Sequence, residues 1–125
     1  MNAPRPSPPT YLIVHSDHPL DPTGPNSGAE MATLNQARYL AASGRNVAIA
    51  ARLKHPIIRD RGVHFIDLGS SYDIDRALDW ADTQGKYALI AAGKAFAILM
   101  SRRRERCIKR LLITHDRCAG DTGLK

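Results

Sequence analysis

The stretch GPNSGAEMATLNQARYLAASGRNV, residues 24–47, places two glycines and a serine directly before a helical pattern. Glycine lets backbone N–H groups approach a ligand, and a helix N-terminus carries partial positive charge, so the combination suits a phosphate or sugar diphosphate. We therefore expect Ser27, Gly28, Ala29 and Glu30 to line a binding site. The competing interpretation is a plain turn into a capped helix, and the residues alone leave both open.

The spacing of the glycines excludes two common phosphate motifs. Gly24 and Gly28 are separated by three residues, so they do not form the dinucleotide pattern G-x-G-x-x-G, and no Gly-Lys-Ser/Thr follows as in a P-loop. The segment from Gly24 to Gly28 also lies many residues after the preceding apolar run. A long loop at such a point is commonly functional.

Histidines end two of the apolar runs. His15 ends YLIVH, and His115 with Asp116 ends a later run. Ligands bind at the carboxyl ends of parallel strands, so we expect all three residues in the site, although a lone histidine is more often structural.

A metal site near the first run is a weaker hypothesis. His15 and His18 are three apart and do not share a strand face, and no second Cys/His pair has ligand spacing. We predict that His15, Asp17 and His18 line a polar loop, with no metal and no cofactor.

Short apolar runs alternate with helical patterns along the chain. The predicted strands are Tyr11–His15, Val47–Ala51, Val63–Asp67, Tyr87–Ala92 and Arg110–His115. The predicted helices begin at Ser27, at Ser70 or Ser71, and near Lys94, and the first two end at Gly44 and Gly85. This alternation predicts an α/β fold, a Rossmann-like parallel sheet of about five strands with helices on both faces.

Caps and stripes support the first two helices. Ser27 and Glu30 match an S-x-x-E capping box, worth on the order of 1 kcal/mol. Apolar residues recur at helical spacing: Leu34, Ala37, Leu40 and Ala41 in the first helix, then Ile74, Ala77, Leu78 and Ala81 in the second, with Trp80 at its border. The polar segment Arg52–Arg61 is predicted to be a loop.

Length and composition limit the class of protein. The 125 residues fit one domain, which we place at 11–125 after a disordered, proline-rich leader at 1–10. The leader has no apolar region of a secretory signal. Cys107 and Cys118 are then expected to be reduced thiols in a cytoplasmic protein.

The net charge of +6 comes from one basic cluster. Residues 94–110 hold seven cations against Glu105, and the rest of the chain balances. No aromatic residues interleave with the cluster, so nucleic acid is disfavoured. A solvated helix end is the default interpretation. An anionic membrane surface, at the inner membrane face, is the functional alternative for Arg102, Arg103, Arg104 and Arg106.

SGAEMATLNQARYLAASGRNVAIAA resembles the first βα unit of family 4-like glycosyltransferases. Gly28-Ala29-Glu30 and the Leu40-Ala41…Gly44 ending match the family pattern, and GKYALIAAG and IKRLLITHD resemble its fourth and fifth strands. The resemblance covers residues 11–116. Ser27 departs from it by replacing the first glycine of the family's pair.

The resemblance implies a GT-B fold, in which the N-terminal domain receives the acceptor and a C-terminal domain holds a nucleotide-sugar donor, usually without an essential metal. It implies that the glycine loop approaches the donor diphosphate, that His115 lies near the transferred sugar, and that configuration is retained. The acceptor would be a sugar or a lipid-linked molecule. The sequence matches the family only to its fifth strand, which predicts that these 125 residues alone transfer no sugar. The alternative is a non-catalytic Rossmann-like module that binds a small anion or a protein.

Overall fold

The computed structural model describes residues 9–15, 18–92 and 107–113, with only the backbone at 92 and 109–113. This part of the chain forms one six-stranded sheet and two helices. In chain order the elements are β1 (Thr10–His15), α1 (Gly28–Ala42), β2 (Val47–Ala51), β3 (Arg59–Asp60), β4 (Val63–Asp67), α2 (Ile74–Thr83), β5 (Tyr87–Ala92) and β6 (Cys107–Ile113).

The sheet has the strand order β3-β4-β2-β1-β5-β6. All neighbouring pairs are parallel except β3 with β4. The chain moves outward from β1 through β2 to β4, then returns to place β5 on the other side of β1. The α/β class is therefore confirmed, with a mixed, mostly parallel sheet that is roughly Rossmann-like, and the strand order reverses between β1 and β5.

The prediction of a loop over Arg52–Arg61 was wrong at its end, because Arg59 and Asp60 pair with β4 as a sixth, antiparallel strand. The connecting turn has left-handed backbone at Arg61 (φ 51°) and Gly62 (φ 82°). This geometry suits a two-residue hairpin, in which glycine is favoured at the second position. A two-residue polar strand shows no apolar alternation, so the sequence pattern did not reveal it.

The two described helices cover opposite faces of the sheet. Successive strand residues point to opposite sides, so Leu12 and Val14 pack with α2, whereas Ile13 packs with α1. All five residues of β2 are buried, as expected of an interior parallel strand. The predicted stripes of both helices lie in these two clusters, and Trp80 packs at the border of the α2 cluster.

The sequence predicts the end of α1 correctly but not the start of α2. Gly44 (φ 84°) donates its N–H to Ala41, and Arg45 donates to Leu40, which is the glycine stop that the sequence predicts. At the start of α2 the prediction of a Ser70 or Ser71 cap was wrong. Asp73 is the N-cap, and its carboxylate accepts the Arg76 N–H.

Strand β6 begins at Cys107, three residues before the predicted Arg110, and ends at Ile113. Its pairing with β5 shifts register between Tyr87 and Ala88, which leaves Ile108 as an extra residue, 53% exposed. Several predictions lie outside the described residues: the leader up to residue 8, Asp17, the third helix at 94–106 with its arginine cluster, His115 with Asp116, and Cys118.

Candidate functional site

The reversal of strand order locates the candidate site at the carboxyl ends of β1 and β5. His15 is the last residue of β1 and is paired with Ala92, the last residue of β5. In open α/β sheets ligands bind in the crevice at this position. Helix α1 follows β1 in the chain, and its first turn contacts His15 directly.

A buried pair of ionisable side chains, His15 and Glu30, lies at this point. His15 Nε2 is 2.8 Å from Glu30 Oε2, and the two residues are 1% and 2% exposed. His15 shares the α1 side of β1 with Ile13, since the two are two residues apart in a strand. Glu30 lies on the inner face of α1 with Thr33, Leu34 and Ala37, at helical spacing. Strand and helix periodicity therefore bring the pair together.

Two hydroxyl groups extend the pair. Thr33 Oγ1 lies 3.4 Å from His15 Nδ1 and donates to the Ala29 carbonyl at 3.1 Å. The Ser27 hydroxyl donates to Glu30 Oε1. The predicted capping box was therefore wrong in its contacts, because Ser27 occupies the N-cap position but its side chain makes no cap hydrogen bond. The serine instead serves the Glu30 carboxylate.

The surroundings of Glu30 favour its ionised form. Burial raises the pKa of this carboxyl, but the hydrogen bonds from Ser27 and His15, with the electrostatic attraction of His15 and His18, outweigh burial. They hold the pKa below its ordinary value of 4.5. An ionised carboxylate accepts hydrogen bonds only, so His15 Nε2 carries the hydrogen of the 2.8 Å contact.

This shift gives stability a dependence on pH. The unfolded chain protonates Glu30 at about 4.5 and the folded chain only at lower pH, so the contribution of Glu30 is complete above 4.5 and is lost as pH falls through the folded value. We expect the unfolding free energy of Glu30→Gln, measured by urea titration at a series of pH values, to fall less steeply below pH 4.5 than that of the wild type.

His64 is the control for that measurement. Burial, and then the charge of Arg59, lowers the pKa of His64 from 6.5, and its ring lies 5.5 Å from that of Trp80. Its contribution is complete above 6.5 and is lost as pH falls below that value. His64→Gln should flatten the pH dependence of the unfolding free energy just below pH 6.5 and leave the dependence below pH 4.5 unchanged. Identical pH profiles for Glu30→Gln and the wild type would contradict the assignment to Glu30.

Residues 21–26, which include Gly24, form a turn that is closed by its own hydrogen bonds. Asp21 Oδ1 accepts the N–H groups of Thr23 and Gly24, at 3.1 and 2.8 Å. Asn26 accepts the Asp21 N–H and donates to the Asp21 and Gly24 carbonyls. These backbone N–H groups are thus directed at Asp21, and the plain-turn interpretation holds for residues 21–26.

Gly24 and Gly28 have different environments. A Cβ at Gly24 would clash with the Asp21 carboxylate that accepts the Thr23 and Gly24 N–H groups, so a larger residue there would disturb the turn. A Cβ at Gly28 would meet no atom within 4 Å, and its backbone does not have positive φ. The protein therefore makes no demand for glycine at the first residue of α1, and the space beside it is open to a ligand.

Sequence reasoning missed two residues that contact His15. Thr33 follows Glu30 by three residues on the inner face of α1, so helical spacing was the available signal. Tyr72, in the connection from β4 to α2, donates its hydroxyl to the His15 carbonyl at 2.7 Å. Tyr72 and His15 are 57 positions apart in the sequence, so there was no local signal for this contact.

Of the predicted site residues, the structure brings His15, Ser27 and Glu30 together. Ala29 joins them through its carbonyl, and Gly28 lies at the open start of α1. The described residues contain no group of three His, Cys, Asp or Glu side chains that could hold a metal ion. None of the described helices has the length and apolar character needed to cross a membrane.

Fold and site together define an α/β protein with a mainly parallel sheet and a polar cluster where its strand order reverses. Comparison with protein-family models, curated proteins and solved structures finds no match to this chain.

Proposed function

We propose that this chain is the acceptor-side domain of a retaining glycosyltransferase that uses a nucleotide-sugar donor. The observation that carries the proposal is the position of the α1 N-terminus. It lies at the reversal of strand order, with open space at Gly28, where the resemblance places the loop that approaches a donor diphosphate.

The electrostatics at the N-terminus of α1 support an anionic ligand. In sugar transfer the bond from the anomeric carbon to the diphosphate breaks and a bond to the acceptor oxygen forms. The acceptor hydroxyl gives up its proton to the leaving diphosphate or to water, and the diphosphate leaves with its remaining charge. The positive end of a helix stabilises such charge. Glu30 would oppose it, but Glu30 is 2% exposed and its two carboxylate oxygens accept hydrogen bonds from Ser27 and His15.

The remaining roles extend the same proposal. His115 would support charge at the reacting sugar, with Asp116 beside it, and the acceptor would be a sugar or a lipid-linked molecule. The donor would be held by a second domain, as in the family that the motifs resemble. This chain would then provide the acceptor-side wall, and sugar transfer would require both domains.

A non-catalytic module that binds a small anion is the second candidate. The observation that favours it is burial, since His15 and Glu30 are 1% and 2% exposed and are satisfied by each other. Among the site residues that the structure describes, Ser27 and Gly28 are the exposed ones. A site of this kind can bind an anion without presenting a reactive side chain.

Titration of the ¹⁵N-labelled chain with uridine diphosphate tests the proposal. We expect amide shifts in residues 24–32, and we expect Gly28→Val to abolish them while leaving the fold intact, because the new side chain enters open space. Asn35→Val is the matched control. It puts the same side chain on an exposed position of the same helix, and binding should persist.

The outcomes separate the candidates. Absence of shifts in residues 24–32 of the wild type rejects a diphosphate site at the N-terminus of α1. Equal shifts at equal concentrations of inorganic phosphate and uridine diphosphate favour the anion-binding module. Tighter binding of uridine diphosphate supports the glycosyltransferase proposal.

A further inference from the structure

Tyr72 has a backbone conformation that its residue type disfavours. Its φ is 53°, in the left-handed region that costs a side chain with a Cβ and favours glycine. It lies in the tight turn from β4 into α2, where Tyr72 donates its N–H to Gly69 and Asp73 donates to Leu68. A tyrosine at such a position implies that its side chain compensates for the backbone cost.

The side chain of Tyr72 connects two parts of the molecule. Its ring packs against the α2-side core, and its hydroxyl donates to the His15 carbonyl at 2.7 Å. The imidazole of the same histidine is bound from the opposite side of the sheet by Glu30 and Thr33 of α1. The end of β1 is therefore held from both faces at the point where strand order reverses.

We infer that Tyr72 is a positioning residue, which fixes His15 and through it the Glu30 carboxylate at the candidate site. The hydrogen bond holds the backbone of the last β1 residue, and that backbone sets the direction of the imidazole. Because Glu30 and Ser27 are joined to the imidazole in turn, the start of α1 depends on the same contact. The left-handed turn is the means by which a β4–α2 residue reaches β1.

Tyr72→Phe tests the inference, because phenylalanine keeps the ring that packs on the core and removes only the hydroxyl. We expect hydrogen exchange of the amides near the end of β1 and the start of α1 to quicken by about tenfold, the order expected from one lost hydrogen bond. The ¹⁵N shifts of the His15 ring should also change. Tyr39→Phe, at a tyrosine that is 73% exposed on α1, is the matched control and should change neither.

Tyr72→Gly separates positioning from the shape of the turn. Glycine adopts the left-handed conformation readily, so the turn persists while ring and hydroxyl are lost. We expect its His15 ring shifts to move in the same direction as those of Tyr72→Phe. Unchanged His15 ring shifts and unchanged exchange in Tyr72→Phe would overturn the inference.

Ligand binding adds a measurement that rests on the proposed function. If the wild type binds uridine diphosphate, Tyr72→Phe should raise the dissociation constant about tenfold, in line with one lost hydrogen bond. Wild-type binding that Tyr72→Phe leaves unchanged would overturn the role of Tyr72 at the site and leave the proposed function standing. If the wild type does not bind, the proposed function fails, and the His15 spectra still decide whether Tyr72 positions the histidine.

Discussion

Leu34→Ala is expected to lower the free energy of unfolding by about 3 kcal/mol, within the range of roughly 2–5 kcal/mol for such substitutions in a core. Leu34 has no exposed surface and lies in the cluster that joins α1 to the sheet. The loss combines the transfer free energy of the removed atoms with the cavity that remains. Against a total stability of roughly 5–15 kcal/mol, this is a large fraction, and urea unfolding followed by circular dichroism measures it.

Tyr39→Ala is the matched control on the same helix. Tyr39 is 73% exposed, so its truncation removes little buried area and should change stability by less than about 0.5 kcal/mol. Comparable losses in Leu34→Ala and Tyr39→Ala would contradict the docking of this face of α1 on the sheet.

Short apolar runs explain how much of the sheet the sequence predicts. Four of the five predicted strands coincide with β1, β2, β4 and β5 to within one residue, because their apolar runs are short, continuous and bounded by turn residues. The missed strand β3 has two polar residues and depends on pairing with β4. The start of β6 was missed for a similar reason. Its first four residues include a cysteine, a lysine and an arginine, which do not form an apolar run.

The sequence likewise predicted several residues of the site but not the contacts between them. Residue types at a strand end and a helix start pointed to His15, Ser27 and Glu30, since these positions are local in sequence. The contact between His15 and Glu30 depends on the angle at which α1 docks on the sheet, and motif spacing does not encode that angle. The Tyr72 hydrogen bond joins residues 57 positions apart and follows from a left-handed residue that sequence propensities disfavour.

Glu30→Ala is expected to destabilise the protein by about 1–3 kcal/mol, the usual effect of leaving a buried hydrogen-bonding group without its partner. The substitution leaves His15, 1% exposed, with its Nε2 hydrogen directed at an empty position. It also removes the acceptor of the Ser27 hydroxyl. Urea unfolding at pH 7 measures the loss, and Asp75→Ala provides a control at an exposed acidic residue in the first turn of α2.

Replacing His15 and Glu30 together tests whether the pair contributes to ligand binding or to packing alone. Two charged or polar groups replaced together by apolar ones of similar volume often leave stability unchanged or improved, because the desolvation of both is avoided. We therefore expect His15→Leu with Glu30→Met to recover most of the stability that Glu30→Ala loses. The uridine diphosphate shifts in residues 24–32 should be absent from both variants, because neither keeps the carboxylate that holds Ser27 at the start of α1. Recovery of both stability and binding would mean that the pair serves packing alone. A double variant as unstable as the sum of its two single variants would contradict a direct interaction between the two side chains, because partners in contact show a coupling energy.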